Sequence, residues 1–322
     1  MQIHYLVLAH HRPDRFGALI SAVCDGGARA TVHIDAASAL TPFRVAAKPS
    51  SGVTFLPDAE RVKVRWGGWT PVEATIRALR RAVDTGMSDG DYAILLSGDS
   101  YPLQAPQRIE SYLTAARSGE FMSAVPIPSV QFDKPIERIS RFRVNHDPRT
   151  PARPLIPRAI NRLRIPLPYQ RALDHRQPFA GSQWWGVTGR MARWLLDETD
   201  RDRRFVRFAR VTTIPDEFFF QTLAYNSPFR QQLRPTLMFA DWSRPAGLHP
   251  APIDADHVEM LETTRLVVNQ DNGQAEALFA RKILDEDAEQ LIRTRLWPLE
   301  LDRSRGTQGE QLPVSNSVAA PE

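Results

Sequence analysis

The chain has 322 residues, 42% of them hydrophobic and 24% charged, with a formal net charge of +4 and a sequence pI near 9.4. Those values exclude a disordered or fibrous chain and allow a sizeable buried core. A single cysteine, Cys24, excludes an intrachain disulfide, and apolar runs such as Tyr5 to Ala9 are too short to cross a bilayer.

Short β-branched runs alternate with helical patterns, which predicts an α/β fold with a mostly parallel central sheet flanked by helices. The first strand is expected at Ile3–Ala9. Met1-Gln2-Ile3-His4 before it lacks the basic start of a signal peptide. With the lone cysteine, this gives the expectation of a cytoplasmic protein. A helix follows over Arg12–Cys24, where Cys24 on the apolar face reads as a structural thiol. His10 and His11 have no third ligand at suitable spacing, so no zinc site is expected. Strands at Ala30–Asp35 and Val53–Leu56 precede a helix at Pro71–Thr85, a strand at Tyr92–Ser97 and a helix at Pro106–Ala116. Asp89-Gly90-Asp91 is spelled like an Asp-x-Asp metal motif but stands at the amino end of the Tyr92–Ser97 strand. Ligands of such sheets gather at the carboxyl ends, so it reads as a turn.

A strand at Phe121–Val125 leads into a proline-broken excursion over residues 133–178, the natural place for a substrate loop. Between Lys134 and Arg176 it carries eleven Lys or Arg and three acids. A nucleic-acid reader would interleave aromatics with those cations, yet only Phe142 and Tyr169 occur, so no nucleic-acid partner is expected. A solvated basic loop and a peripheral contact with the inner face of a membrane remain as readings. Beyond it, strands are expected at Gln183–Val187 and Thr236–Ala240. Helices are expected at Gly189–Glu198, Pro215–Tyr225, Ala255–Thr263 and Ala288–Trp297. Residues 1–302 read as one domain, and 303–322 as a disordered tail.

The segment Ile214-Pro215-Asp216-Glu217-Phe218-Phe219-Phe220-Gln221 is the most informative. Proline suits the first helical position, which puts Asp216 and Glu217 in an opening turn whose dipole favours their ionised form. An ionised carboxylate in a cleft can accept a proton from a hydroxyl. About thirty residues upstream, Gly181-Ser182-Gln183-Trp184-Trp185-Gly186 offers two indoles able to stack on a sugar face. Strand neighbours point to opposite sides, so only one of Trp184 and Trp185 can line a cleft. Trp242, after a predicted strand, is a further stacking candidate.

These two segments are joined in order by Val32-His33-Ile34-Asp35, Trp66-Gly67-Gly68-Trp69-Thr70-Pro71-Val72-Glu73-Ala74, Leu95-Leu96-Ser97-Gly98-Asp99-Ser100-Tyr101-Pro102-Leu103 and Leu278-Phe279-Ala280-Arg281-Lys282. Together they resemble the core-2/I-branching β-1,6-N-acetylglucosaminyltransferase and peptide O-xylosyltransferase family, in a short bacterial-type form. The resemblance implies a GT-A-like nucleotide-sugar fold. It also implies inverting, metal-independent transfer of GlcNAc, xylose or a related sugar from a UDP-sugar to a hydroxyl. Glu217 would be the general base; the residues alone leave Asp216 equivalent, and the resemblance selects Glu217. Asp35 would contact the nucleotide's base or ribose, and Lys282 would neutralise the diphosphate; Arg281 beside it, also a donor-side candidate, could face the same way or solvent. Trp184, Trp185, Trp242 and Asp216 fall to the acceptor side. No cofactor or metal is expected beyond the UDP-sugar itself, and the acceptor is a glycan, a lipid-linked glycan or a small molecule. Two departures stand out. Asp99 lies one position before the family's aspartate, and Ala251 in His249-Pro250-Ala251 replaces a phosphate-binding arginine. They support an alternative, a non-catalytic nucleotide-sugar or glycan-binding protein on the same fold.

Overall fold

The computed structural model describes residues 1–48, 52–116, 118–144, 155–243, 249–263, 267–270 and 273–298. The predicted tail and part of the basic excursion, 145–154, lie outside these residues. Four parallel strands carry the core: β1 (Ile3–Ala9), β2 (Arg29–Ile34), β3 (Val53–Phe55) and β4 (Tyr92–Ser97). β1 and β4 are buried on both faces, which is why they read as unbroken apolar runs rather than alternating ones. β5 (Ser100–Pro102) leaves for a smaller sheet, and β6 (Glu120–Phe121) returns to the large one. β7 (Ala124–Pro126) and β8 (Phe179–Gly181) pair antiparallel, and β9 (Gly186–Thr188) enters antiparallel to β4. β10 (Leu233–Arg234) completes the seven-stranded order β10-β6-β9-β4-β1-β2-β3. β11 (Met238–Ala240) is followed by the hairpin β12 (Val267–Gln270) and β13 (Gly273–Glu276), then β14 (Phe279–Arg281), which pairs with both β11 and β5.

The chain steps outward from β1 to β2 and β3, then recrosses to place β4 on the other side of β1. The carboxyl ends of β1 and β4 therefore flank a topological switch point, where a crevice opens in folds of this kind. Gly98 sits at that point because nothing larger fits. A Cβ there would lie 2.8 Å from the Cβ of Ala9. The helix Thr70–Asp84 lays Val72, Ala78 and Leu79 against β1 and β2. Among the described residues no helix is long and apolar enough to cross a membrane.

Three sequence expectations shift. Phe121–Val125 is not one strand but two short ones, β6 and β7, in different sheets. Gln183–Val187 is a strand only from Gly186, since Ser182 to Trp185 are irregular around a bend at Gln183. Pro215 opens a three-residue 3-10 turn, Pro215–Glu217, that breaks at Phe218 before the α-helix Phe219–Tyr225. Ile214 in front of it is left-handed, at φ 51°, a costly conformation for a β-branched residue.

Candidate active site

A cleft of about 260 Å³ opens at the switch point. It is lined by His10 and His11 after β1, Asp35 after β2, Asp99 after β4, Ser182 and Trp184 before β9, the Asp216–Glu217 turn, Trp242, and Arg281 with Lys282. Seven of the eight residues singled out in the sequence meet here. Trp185 is the exception and is corrected: it is 2% exposed, packs edge-on against Phe220 at 5.4 Å, and lines no part of the cleft. Trp184 and Trp185 lie just before β9 rather than within a strand, and only Trp184 reaches the cleft.

Gln221 fixes the two most telling segments to each other. Its Nε2 donates to the Ser182 carbonyl at 2.6 Å and to the Asp216 carbonyl at 3.4 Å, with the side chain fully buried. Trp184 is held further by Thr236, whose hydroxyl donates to its carbonyl at 2.9 Å. At β2, Asp35 accepts the Ala37 N–H at 2.8 Å, and the Arg61 guanidinium clasps the Asp35 carbonyl at the same distance. His33 beside it accepts the Val62 N–H at 2.8 Å, and burial drops its pKa to about 4, so it is neutral.

Arg281 lays its guanidinium over the Trp184 ring at 4.9 Å, and its Nε is buried with no hydrogen-bond partner. Burial lowers its pKa to about 10, which leaves it cationic at neutral pH. Lys282 lies 3.7 Å from Asp99, and burial, then the neighbouring Arg281, lower its pKa. His11 approaches Asp99 from the other side at 3.6 Å. Asp99 thus sits among three basic side chains at the end of β4, with its Oδ1 buried and lacking a hydrogen bond. Asp241 accepts from Ser243 and pairs with His257 at 3.2 Å, anchoring the loop that presents Trp242.

The two carboxylates of the turn live in opposite environments. Burial, then the charge of Glu217, raises Asp216 to about 7, and its Oδ1 has no partner. The expectation that a helix dipole keeps Asp216 ionised is therefore corrected: a single 3-10 turn supplies little dipole. For Glu217, burial acts upward but is outweighed by Arg138 and Lys134, which hold it below the usual carboxylate range. Lys134 Nζ lies 3.0 Å and an Arg138 nitrogen 2.8 Å from Glu217 Oε2. Both cations belong to the stretch read as a basic loop, yet Lys134 is 2% and Arg138 8% exposed. Sequence reasoning missed them as site residues, and only the unusual Asp133-Lys134-Pro135 turn marks the spot.

Asp89 and Asp91 form the turn expected of them. Asp91 accepts from Gln2 and Ser88 N–H groups at 2.7 Å each, away from the cleft. No group of three or more His, Cys, Asp or Glu side chains is gathered to hold a metal among the described residues. Cys24 is half-buried, and burial raises its thiol to about 11, which makes it inert. Ala251 is buried behind the wall and lines none of the cleft.

The family profile described as Core-2/I-Branching enzyme matches residues 3–266. No curated protein matches the chain. Among solved structures, 4-diphosphocytidyl-2C-methyl-D-erythritol synthase aligns over 65% of this chain and 85% of its own, at 13% identity and a TM-score of 0.30, a likeness too slight to add to the fold.

Proposed function

The chain belongs to the core-2/I-branching enzyme family of glycosyltransferases, and on that premise we propose that it transfers GlcNAc, xylose or a related sugar from a UDP-sugar to an acceptor hydroxyl with inversion and without a metal. The observation that carries this reading is the presence of both kinds of charge in one cleft. Two basic side chains, Arg281 and Lys282, and two carboxylates, Asp216 and Glu217, line it together. A nucleotide diphosphate leaving group needs its charge met, and Arg281 with Lys282 supply it. Arg281, held on Trp184 with an unpartnered Nε, stands in for the cation that Ala251 does not provide.

Glu217 is then the general base. Its Oε2 is occupied by Lys134 and Arg138, which leaves Oε1 to take the acceptor proton as the hydroxyl oxygen attacks the anomeric carbon. Inversion follows from a single displacement, in which the hydroxyl oxygen bonds the anomeric carbon as its bond to the diphosphate breaks. Asp35 holds the ribose or base, and Trp184 and Trp242 pack on sugar faces. Calorimetric titration with UDP in EDTA tests the donor half. Binding of comparable strength with and without Mn²⁺ is expected, and binding that appears only with Mn²⁺ would refute metal independence.

A further inference from the structure

Glu217 is not a bare base. Two cations that do not line the cleft close on one of its oxygens from behind. We infer that Lys134 and Arg138 are positioning residues that fix the Glu217 carboxylate with Oε1 toward the acceptor and keep it ionised; this rests on Glu217 being the base. For these two residues the geometry excludes the reading of a solvated basic loop. Lys134 is among the largest fully buried side chains of the protein. A buried ammonium is costly unless paired, and its hydrogen-bonded carboxylate here is Glu217.

The backbone shows how the pair is delivered. Ser129 and Lys134 exchange N–H···O bonds at 2.9 and 2.8 Å, closing a tight loop whose turn passes through Asp133 at φ 46°. That loop aims Lys134 inward. Four residues on, the Arg138 carbonyl accepts the Thr213 N–H at 2.9 Å, fastening the segment directly to the chain that enters the Pro215 turn. The Ile214 N–H bonds the Gly67 carbonyl at 3.1 Å on the far side. Lys134, Arg138 and the turn that bears Glu217 are thus tied to one another by backbone and side-chain hydrogen bonds. Among the described residues, the charged groups acting on the Glu217 carboxylate are Arg138 and Lys134 on this segment and Asp216 on its own turn. Two positive neighbours against one largely neutral acid favour the carboxylate.

A salt bridge that served stability alone would leave the chemistry untouched when weakened, whereas this one would change the pH at which the base works. The test compares wild type, Lys134→Met, Arg138→Gln, Arg138→Lys and Glu217→Gln as folded proteins of confirmed cooperative melting. UDP-GlcNAc and UDP-xylose serve as donors and water as the acceptor, with UDP release measured across pH. Lys134→Met and Arg138→Gln should lower kcat by roughly 10- to 100-fold, the scale of misplacing a reacting group. The acidic limb of kcat should move to higher pH, the donor KM should stay within about twofold, and Arg138→Lys should bring the limb back toward wild type. An unmoved limb with kcat near wild type in both Lys134→Met and Arg138→Gln would overturn the inference, provided Glu217→Gln has lost turnover. If Glu217→Gln itself turns over normally, the base assignment fails, and this inference with it.

Discussion

Asp216→Asn should make the protein more resistant to alkaline pH. Asn copies the protonated acid in size and cannot ionise, so the variant removes only the cost of charging a buried group. That cost can be worked from the site. The carboxyl moves from an ordinary 3.8 to about 7 because it is buried beside Glu217. At about 1.36 kcal/mol per unit, ionising Asp216 in the fold costs on the order of 4 kcal/mol. Its folded-state pKa is raised, so the stabilising contribution is complete below pH 3.8 and is lost as pH climbs through about 7. Roughly 3 kcal/mol of the loss falls between about pH 5 and 8.5. An unfolding entropy near 2.1 cal/mol/K per residue turns this into a Tm change of about 4 °C. Scanning calorimetry on both proteins across that range should show the variant gaining about 4 °C on wild type from the acid to the alkaline end. Parallel Tm curves would refute the reasoning and put Asp216 in contact with water.

Glu120 supplies a second pH effect with the same sign. It is fully buried, accepts from the Thr188 N–H and hydroxyl at 2.7 and 2.6 Å, and burial raises it from 4.5 to about 7. Glu120→Gln should therefore flatten the fall in Tm through neutrality, and an unchanged slope would contradict the burial argument. Lys282→Ala should weaken UDP binding by roughly tenfold or more, the worth of a charge-assisted bond, while uridine binding changes little. Equal losses for the two ligands in calorimetry would make Lys282 merely structural.

Much of this site was legible because its residues sit at the ends of elements whose periodicity is strong. β1 and β4 match the expected ranges to the residue, so Asp99 could be placed after a strand and Asp89-Gly90-Asp91 before it. Local signals failed where distant chain decides the outcome. Nothing around Asp216 announces that it will be buried at the edge of a cleft, because its burial is set by the packing of the whole turn. Lys134 and Arg138 meet a carboxylate 83 and 79 residues away, and a run of cations does not say which heads turn inward. β5 and β14 escaped notice because each is three residues long and gains its order only by pairing with the other. The bend at Gln183 hid for a related reason: Gly181, where a Cβ would come within 1.9 Å of the Ser123 carbonyl, ends β8 rather than beginning a longer strand.

The central claim is that Glu217 accepts the acceptor's proton while Arg281 and Lys282 hold the nucleotide's diphosphate. Turnover of UDP-GlcNAc and UDP-xylose by wild type and Glu217→Gln, with UDP affinity measured on the same preparations, tests it most directly. Loss of the proton acceptor at constant size should cut turnover by roughly 10²- to 10⁴-fold and erase the acidic limb, with UDP affinity nearly unchanged. A folded Glu217→Gln protein with near wild-type turnover would contradict the account.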